Sequence, residues 1–99
     1  PAFSKISEKG RIFGYIKELL HDCNNKTNPH FLNVCLSSTL HFLLINKDYQ
    51  NESEFISFNK FINSIDLSKH TTDDPMLVNI LNKIKVNISD RLNPANQKE

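Results

Sequence analysis

Tryptophan is absent from the 99 residues, glycine occurs twice and cysteine twice. So little glycine disfavours a turn-rich all-β fold, which uses glycine wherever the backbone must take positive φ. Neither sign of charge is in excess, with twelve Lys and Arg against eleven Asp and Glu, a formal net charge of +1. The signs also alternate along the chain: Lys5, Lys9, Arg11 and Lys17 are interleaved with Glu8, Glu18 and Asp22. A basic stripe of the kind that follows phosphates is therefore missing, which argues against nucleic acid as a partner.

Long hydrophobic runs are missing as well. The most apolar stretch, Pro29 to Asn46, is too short and too polar to span a bilayer, and no leader-like hydrophobic segment stands out. The expected location is the cytoplasm, with the periplasm or secretion as the alternative if a leader preceded Pro1. Phosphate-binding glycine loops, dinucleotide fingerprints, H-E-x-x-H and calcium-loop motifs do not occur. No cofactor is expected.

Metal-ligand and nucleophile patterns are thin. His21, Cys23, His30 and Cys35 bring zinc-compatible side chains near one turn, but neither cysteine sits in a C-x-x-C unit and both fall on apolar stripes. They are weak metal candidates, and the expected reading is two buried thiols with surface histidines. A disulfide between Cys23 and Cys35, closing a loop of about a dozen residues, is the alternative. A Cys–His nucleophilic pair in the same place lacks an oxyanion donor or a third orienting residue. No catalytic residues are assigned, and an enzyme is not expected.

What the sequence does carry is helical periodicity. Asn28 and Pro29 form a helix-start signal, and the 18 residues that follow from Pro29 are too many for an ordinary strand. Apolar residues cover about two thirds of this helix, against the single stripe of a surface helix. Asn33, Ser37 and His41 form its polar line, and Ser38 and Thr39 can return their hydroxyls to carbonyls one turn earlier. Before it, Ile12, Phe13, Ile16, Leu19, Leu20 and Cys23 make a helical stripe, with Ser4 or Ser7 as the expected cap. After it, Asn51 and Glu54 have capping-box spacing and precede the stripe Phe55, Phe58, Phe61, Ile62 and Ile65. Asp74 and Pro75 start a last helix bearing Leu77, Ile80, Leu81, Ile84, Ile88 and Leu92.

The predicted fold is an all-α antiparallel bundle of about four helices, near 4–23, 29–46, 52–66 and 75–92. Residues 1–94 form one helical domain and 95–99 a frayed polar tail. The second helix has more apolar surface than bundle neighbours would cover, so Leu36, Leu40, Leu43 and Leu44 are candidate contacts for another chain. Val78, Val86 and Ile56 lie off their stripes and add to the surplus. Gly10 and Gly14 share the face opposite the first stripe and mark either close approach of another backbone or a helix that starts after Gly10. The expected function is a non-enzymatic protein-binding regulator of the adaptor, chaperone, inhibitor or immunity type, with homodimerisation as one way to cover the surplus. A DNA-binding regulator is the alternative, and thiol or zinc chemistry at the first hairpin comes third.

Overall fold

Local signals define the starts of two helices. The computed structural model describes residues 2–26, 29–70 and 74–93, with side chains from Glu8 onward. Asn51 caps α3 (Glu52–Ser64), its side chain accepting from the Glu54 backbone N–H at 3.3 Å. The Glu54 carboxylate does not complete the box, because both of its oxygens accept from Lys17 Nζ at 2.8 Å. Asp74 caps α4 (Pro75–Leu92), accepting from Met76 N–H at 3.0 Å with Pro75 at the first helical position. α2 spans Pro29–Ile45, and its expected cap, Asn28, lies outside the described residues. α1 runs Ala2–Lys26 and so begins before the caps expected at Ser4 or Ser7, carrying both glycines inside the helix. The alternative of a helix starting after Gly10 is thereby overturned. Leu67–His70, expected as loop, forms a 3₁₀ turn. The tail 95–99 lies outside the described residues.

The four helices make two antiparallel hairpins, α1 with α2 and α3 with α4, and α2 packs on α4. α1 meets α3 through side chains: Phe13 lies against Phe55 and Phe58 with centroids 5.6 and 5.1 Å apart, and His21 stacks on Phe61 at 3.6 Å. These pairings run in the same order along both helices, so α1 and α3 point the same way. The bundle is the all-α antiparallel one expected, with its helices in the cyclic order α1, α2, α4, α3.

Buried residues from all four helices form one cluster. Phe13 is its centre, also stacking on Phe42 at 5.6 Å and meeting Tyr49 edge to face at 5.8 Å. The α3 and α4 stripes pack as their periodicity predicts, with Phe55, Phe58, Ile62, Ile65, Leu77, Leu81, Ile84 and Ile88 buried. The α1 stripe is only half used. Phe13, Leu20 and Cys23 are buried, whereas Ile12 and Leu19 remain 46% and 58% exposed because no helix among the described residues covers that edge of the hairpin.

Candidate interaction surface and buried polar contacts

α2 is built from Pro, His, Phe, Leu, Asn, Val, Cys, Ser, Thr and Ile and contains no Asp, Glu, Lys or Arg. Its inner side buries Leu32, Leu36, Thr39, Phe42 and Leu43. Thr39 is accommodated there because its hydroxyl donates to the Cys35 carbonyl at 2.8 Å. The opposite side stays open: Phe31, Val34, Leu44 and Ile45 are 58%, 62%, 51% and 64% exposed. Between them lie exposed Ser37, Ser38 and His41. The Ser37 hydroxyl donates to Asn33 Oδ1 at 3.1 Å, which keeps this polar line within the helix.

The four leucines proposed as a contact surface therefore divide. Leu36 and Leu43 are fully buried core residues and are corrected out of it. Leu40 is half-buried and Leu44 exposed. The reason is geometric: residues 36 and 43 are seven apart, two turns, and share the face turned toward α4 and the core, whereas 44 is rotated by a further 100°. The surplus predicted for α2 is real but is carried by Phe31, Val34, Leu44 and Ile45.

Two shallow grooves flank this ridge. On the α1 side, Ile12, Ile16, Phe42 and Ile45 form an apolar floor beside Ser37, Ser38, His41 and Asn46. On the α4 side, Leu40, Leu44 and Val86 are rimmed by Asn82, Lys83, Asn87 and Asp90. Ile56 and Val78 are also exposed, at 45% and 46%, outside both grooves.

The glycines do not mark a close backbone contact inside the chain. A methyl group at Gly14 would meet nothing within 4 Å, and one at Gly10 would meet the Tyr49 hydroxyl at 3.6 Å, an ordinary contact. Gly14 opens into a groove with Lys17, His21, Phe58 and Phe61, on the α3 side of α1 and away from the α2 ridge.

Of the weak metal candidates, the structure brings two together. Cys23 and Cys35 are thiols with their sulfurs 2.8 Å apart, and Cys35 Sγ also donates to the Leu19 carbonyl at 3.8 Å. Burial, the hydrogen bond with Cys23 and the charge of Asp22 push the Cys35 thiol up to about 12. His21 is engaged with Phe61 and His30 is exposed. Among the described residues, no group of three or more His, Cys, Asp or Glu side chains could hold a metal.

Sequence reasoning missed a buried polar side chain with several hydrogen-bond partners. Arg91 is buried at the C-terminal end of α4, where Nη1 donates to the carbonyls of Asn46 at 3.0 Å and Tyr49 at 2.9 Å, and Nη2 to that of Leu43. Its Nε donates to Asn87 Oδ1 at 2.7 Å, and the guanidinium stands over the Phe55 ring at 5.7 Å. Burial lowers its pKa from the usual arginine value. One signal was available, since Arg91 falls three residues after Ile88 on the apolar stripe of α4.

His70 is the other buried polar residue missed. Its Nε2 lies 2.9 Å from Asn24 Oδ1, joining the 3₁₀ turn to the end of α1, and burial lowers its pKa. No helix among the described residues is long and apolar enough to cross a membrane. Comparison with family models, with curated proteins and with solved structures finds no match.

Proposed function

We propose that the protein is a non-enzymatic, protein-binding regulator whose docking face is the outer side of α2. One observation carries this reading: a helix without a charged residue exposes Phe31, Val34, Leu44 and Ile45 to more than half of their area. The centres of protein interfaces are depleted in charge and enriched in aromatic and apolar side chains, with polar groups at the rim. The α4-side groove has that composition, Leu44 and Val86 lying inside Lys83 and Asp90. Phe31, Val34 and Ile45 lie on one side of the helix, as the apolar anchors of helix-in-groove recognition do.

A second copy of the chain is the first occupant we propose. An isologous interface sets the same patch against itself, so a charged ridge would repel its twin; α2 has no such charge to repel. Adaptor, chaperone, inhibitor and immunity roles all remain within this reading, because each requires only the docking face. The near-neutral charge weighs against DNA as the occupant.

Sedimentation velocity over a hundredfold concentration range tests the self-association, using the native chain and the Val34→Glu, Ile45→Glu double variant. The native chain is expected to move from monomer to dimer and the variant to stay monomeric. A native monomer at all concentrations removes the second copy as occupant. Capture from the source cells then decides the wider reading: a protein held by the native chain and released by the double variant supports it, and equal capture by both refutes the α2 face.

A further inference from the structure

Cys23 near the end of α1 and Cys35 in the first half of α2 face one another across the first hairpin, their sulfurs 2.8 Å apart. A disulfide needs the sulfurs to close to about 2.05 Å, so bond formation asks for a shift of under an ångström at this point. The two positions are twelve residues apart in sequence, and helix pairing already holds them together. Cys23 is 8% exposed, while Cys35 is half-buried and so is the sulfur that an external reagent reaches first.

We infer that Cys23 and Cys35 are a redox-active pair that closes an intramolecular disulfide between α1 and α2, with a low-molecular-weight disulfide such as oxidised glutathione as the electron acceptor. The inference stands apart from the docking reading, since neither sulfur belongs to the exposed ridge.

The chemistry balances in two exchanges. The Cys35 thiolate attacks one sulfur of oxidised glutathione, forming a mixed disulfide and expelling one glutathione thiolate. The Cys23 thiolate then attacks Cys35 Sγ, forming the protein disulfide and expelling the second glutathione thiolate. Two protein thiols have lost two protons and two electrons. The oxidant has taken up both and leaves as two molecules of reduced glutathione. Because the attacking species is the thiolate, and burial keeps the Cys35 proton in place at neutral pH, closure is slow at pH 7 and accelerates as the pH is raised. A native fold that holds the sulfurs together favours the closed form over the same reaction in the unfolded chain, as linkage requires of any crosslink that stabilises the fold.

Intact mass after equilibration with excess oxidised glutathione, in native buffer and in concentrated urea, tests this. The native chain is expected to lose two hydrogens, with peptide mapping placing the bond between Cys23 and Cys35. The equilibrium constant for closure should be at least tenfold larger in native buffer than in urea, and the oxidised chain should melt at a higher temperature than the reduced one. Cys23→Ser and Cys35→Ser, each checked for helical circular dichroism, should not show the loss of two hydrogens. If the folded native chain keeps two alkylatable thiols, carries two glutathiones, or closes no more favourably than the chain in urea, the inference is wrong.

Discussion

Arg91 holds the end of α2 in place. That helix stops at Ile45, and the last carbonyls of any helix have no intrahelical donor. The guanidinium supplies donors to the Leu43 and Asn46 carbonyls and, through Tyr49, to the linker before α3, so one side chain from α4 ties together three elements. A cation at a helix C-terminus also meets the negative end of the helix dipole. Arg91→Met keeps the apolar stem but orphans buried carbonyls, and is expected to lower unfolding free energy by about 3 kcal/mol. Arg91→Lys should recover only part, since an ammonium cannot reproduce the planar fork. Urea titration checks both, and a loss below about 1 kcal/mol for Arg91→Met would show that water replaces the contacts. His70 makes a different prediction. Its pKa in the folded chain is lowered by burial, partly offset by Asp66, so the unfolded chain binds a proton that the folded chain resists. Stability is therefore unaffected above the unfolded value of about 6.5 and falls as the pH drops below it and through the depressed folded value. Asp48 and Asp66, lowered chiefly by hydrogen bonds from Lys9 and Ser68, contribute stability that is lost only below the ordinary carboxylate range, outside this window. Urea midpoints measured between pH 7.5 and 5 should decline, and His70→Gln should flatten that decline.

At the scale of elements, periodicity and caps made most of the helices legible. α4 matches its expected limits from Pro75 to Leu92 because a cap, a proline and an apolar stripe all agree on them. α3 ends at Ser64, two residues short of the expected limit, since Ile65 leaves the helix in extended geometry. Which edge of a stripe is buried was not legible. Ile12 and Leu19 are as apolar as Phe13 and Leu20, and only the placement of α3 and α4 on one side of the first hairpin separates exposed from buried. The sequence placed Cys23 and Cys35 near one turn but left buried thiols and a disulfide as alternatives, because which core residues touch depends on how two helices are rotated about their axes. Arg91 and His70 were overlooked because a buried cation or imidazole is defined by its acceptors, which come from distant parts of the chain. The α1 glycines give the prediction at this scale. Gly14 is helical and has open space where a methyl group would go, so Gly14→Ala should raise stability by about 1 kcal/mol. Gly10→Ala should gain no more, because its methyl group would rest against the buried Tyr49 hydroxyl. Thermal melts of the two variants check this, and a loss of stability for Gly14→Ala would point to a backbone approach made only in an assembly.

For the whole molecule, the cyclic order of the helices decides what is left uncovered. α2 touches α1 and α4, and its buried residues Leu32, Leu36, Thr39, Phe42 and Leu43 fall within about a third of its circumference at about 100° per residue. A chain whose most apolar helix is also its least charged leaves the remaining arc for something else. Core and docking roles on α2 can then be separated by two kinds of substitution. Leu36→Ala removes a fully buried side chain and should cost about 2–5 kcal/mol of unfolding free energy while leaving the association of the folded chain intact. Ile45→Glu adds charge to an exposed site and should change monomer stability by no more than about 0.5 kcal/mol while weakening association. If the native chain dimerises through this face, its melting temperature rises with protein concentration, because assembly draws on the folded state alone. Ile45→Glu should abolish that dependence and melt, at every concentration, where the dilute native chain does. Leu36→Ala should melt lower throughout yet keep the dependence. A native melting temperature that does not move with concentration, or an Ile45→Glu variant that retains the native slope, would mean that the uncharged arc of α2 is not where two copies meet.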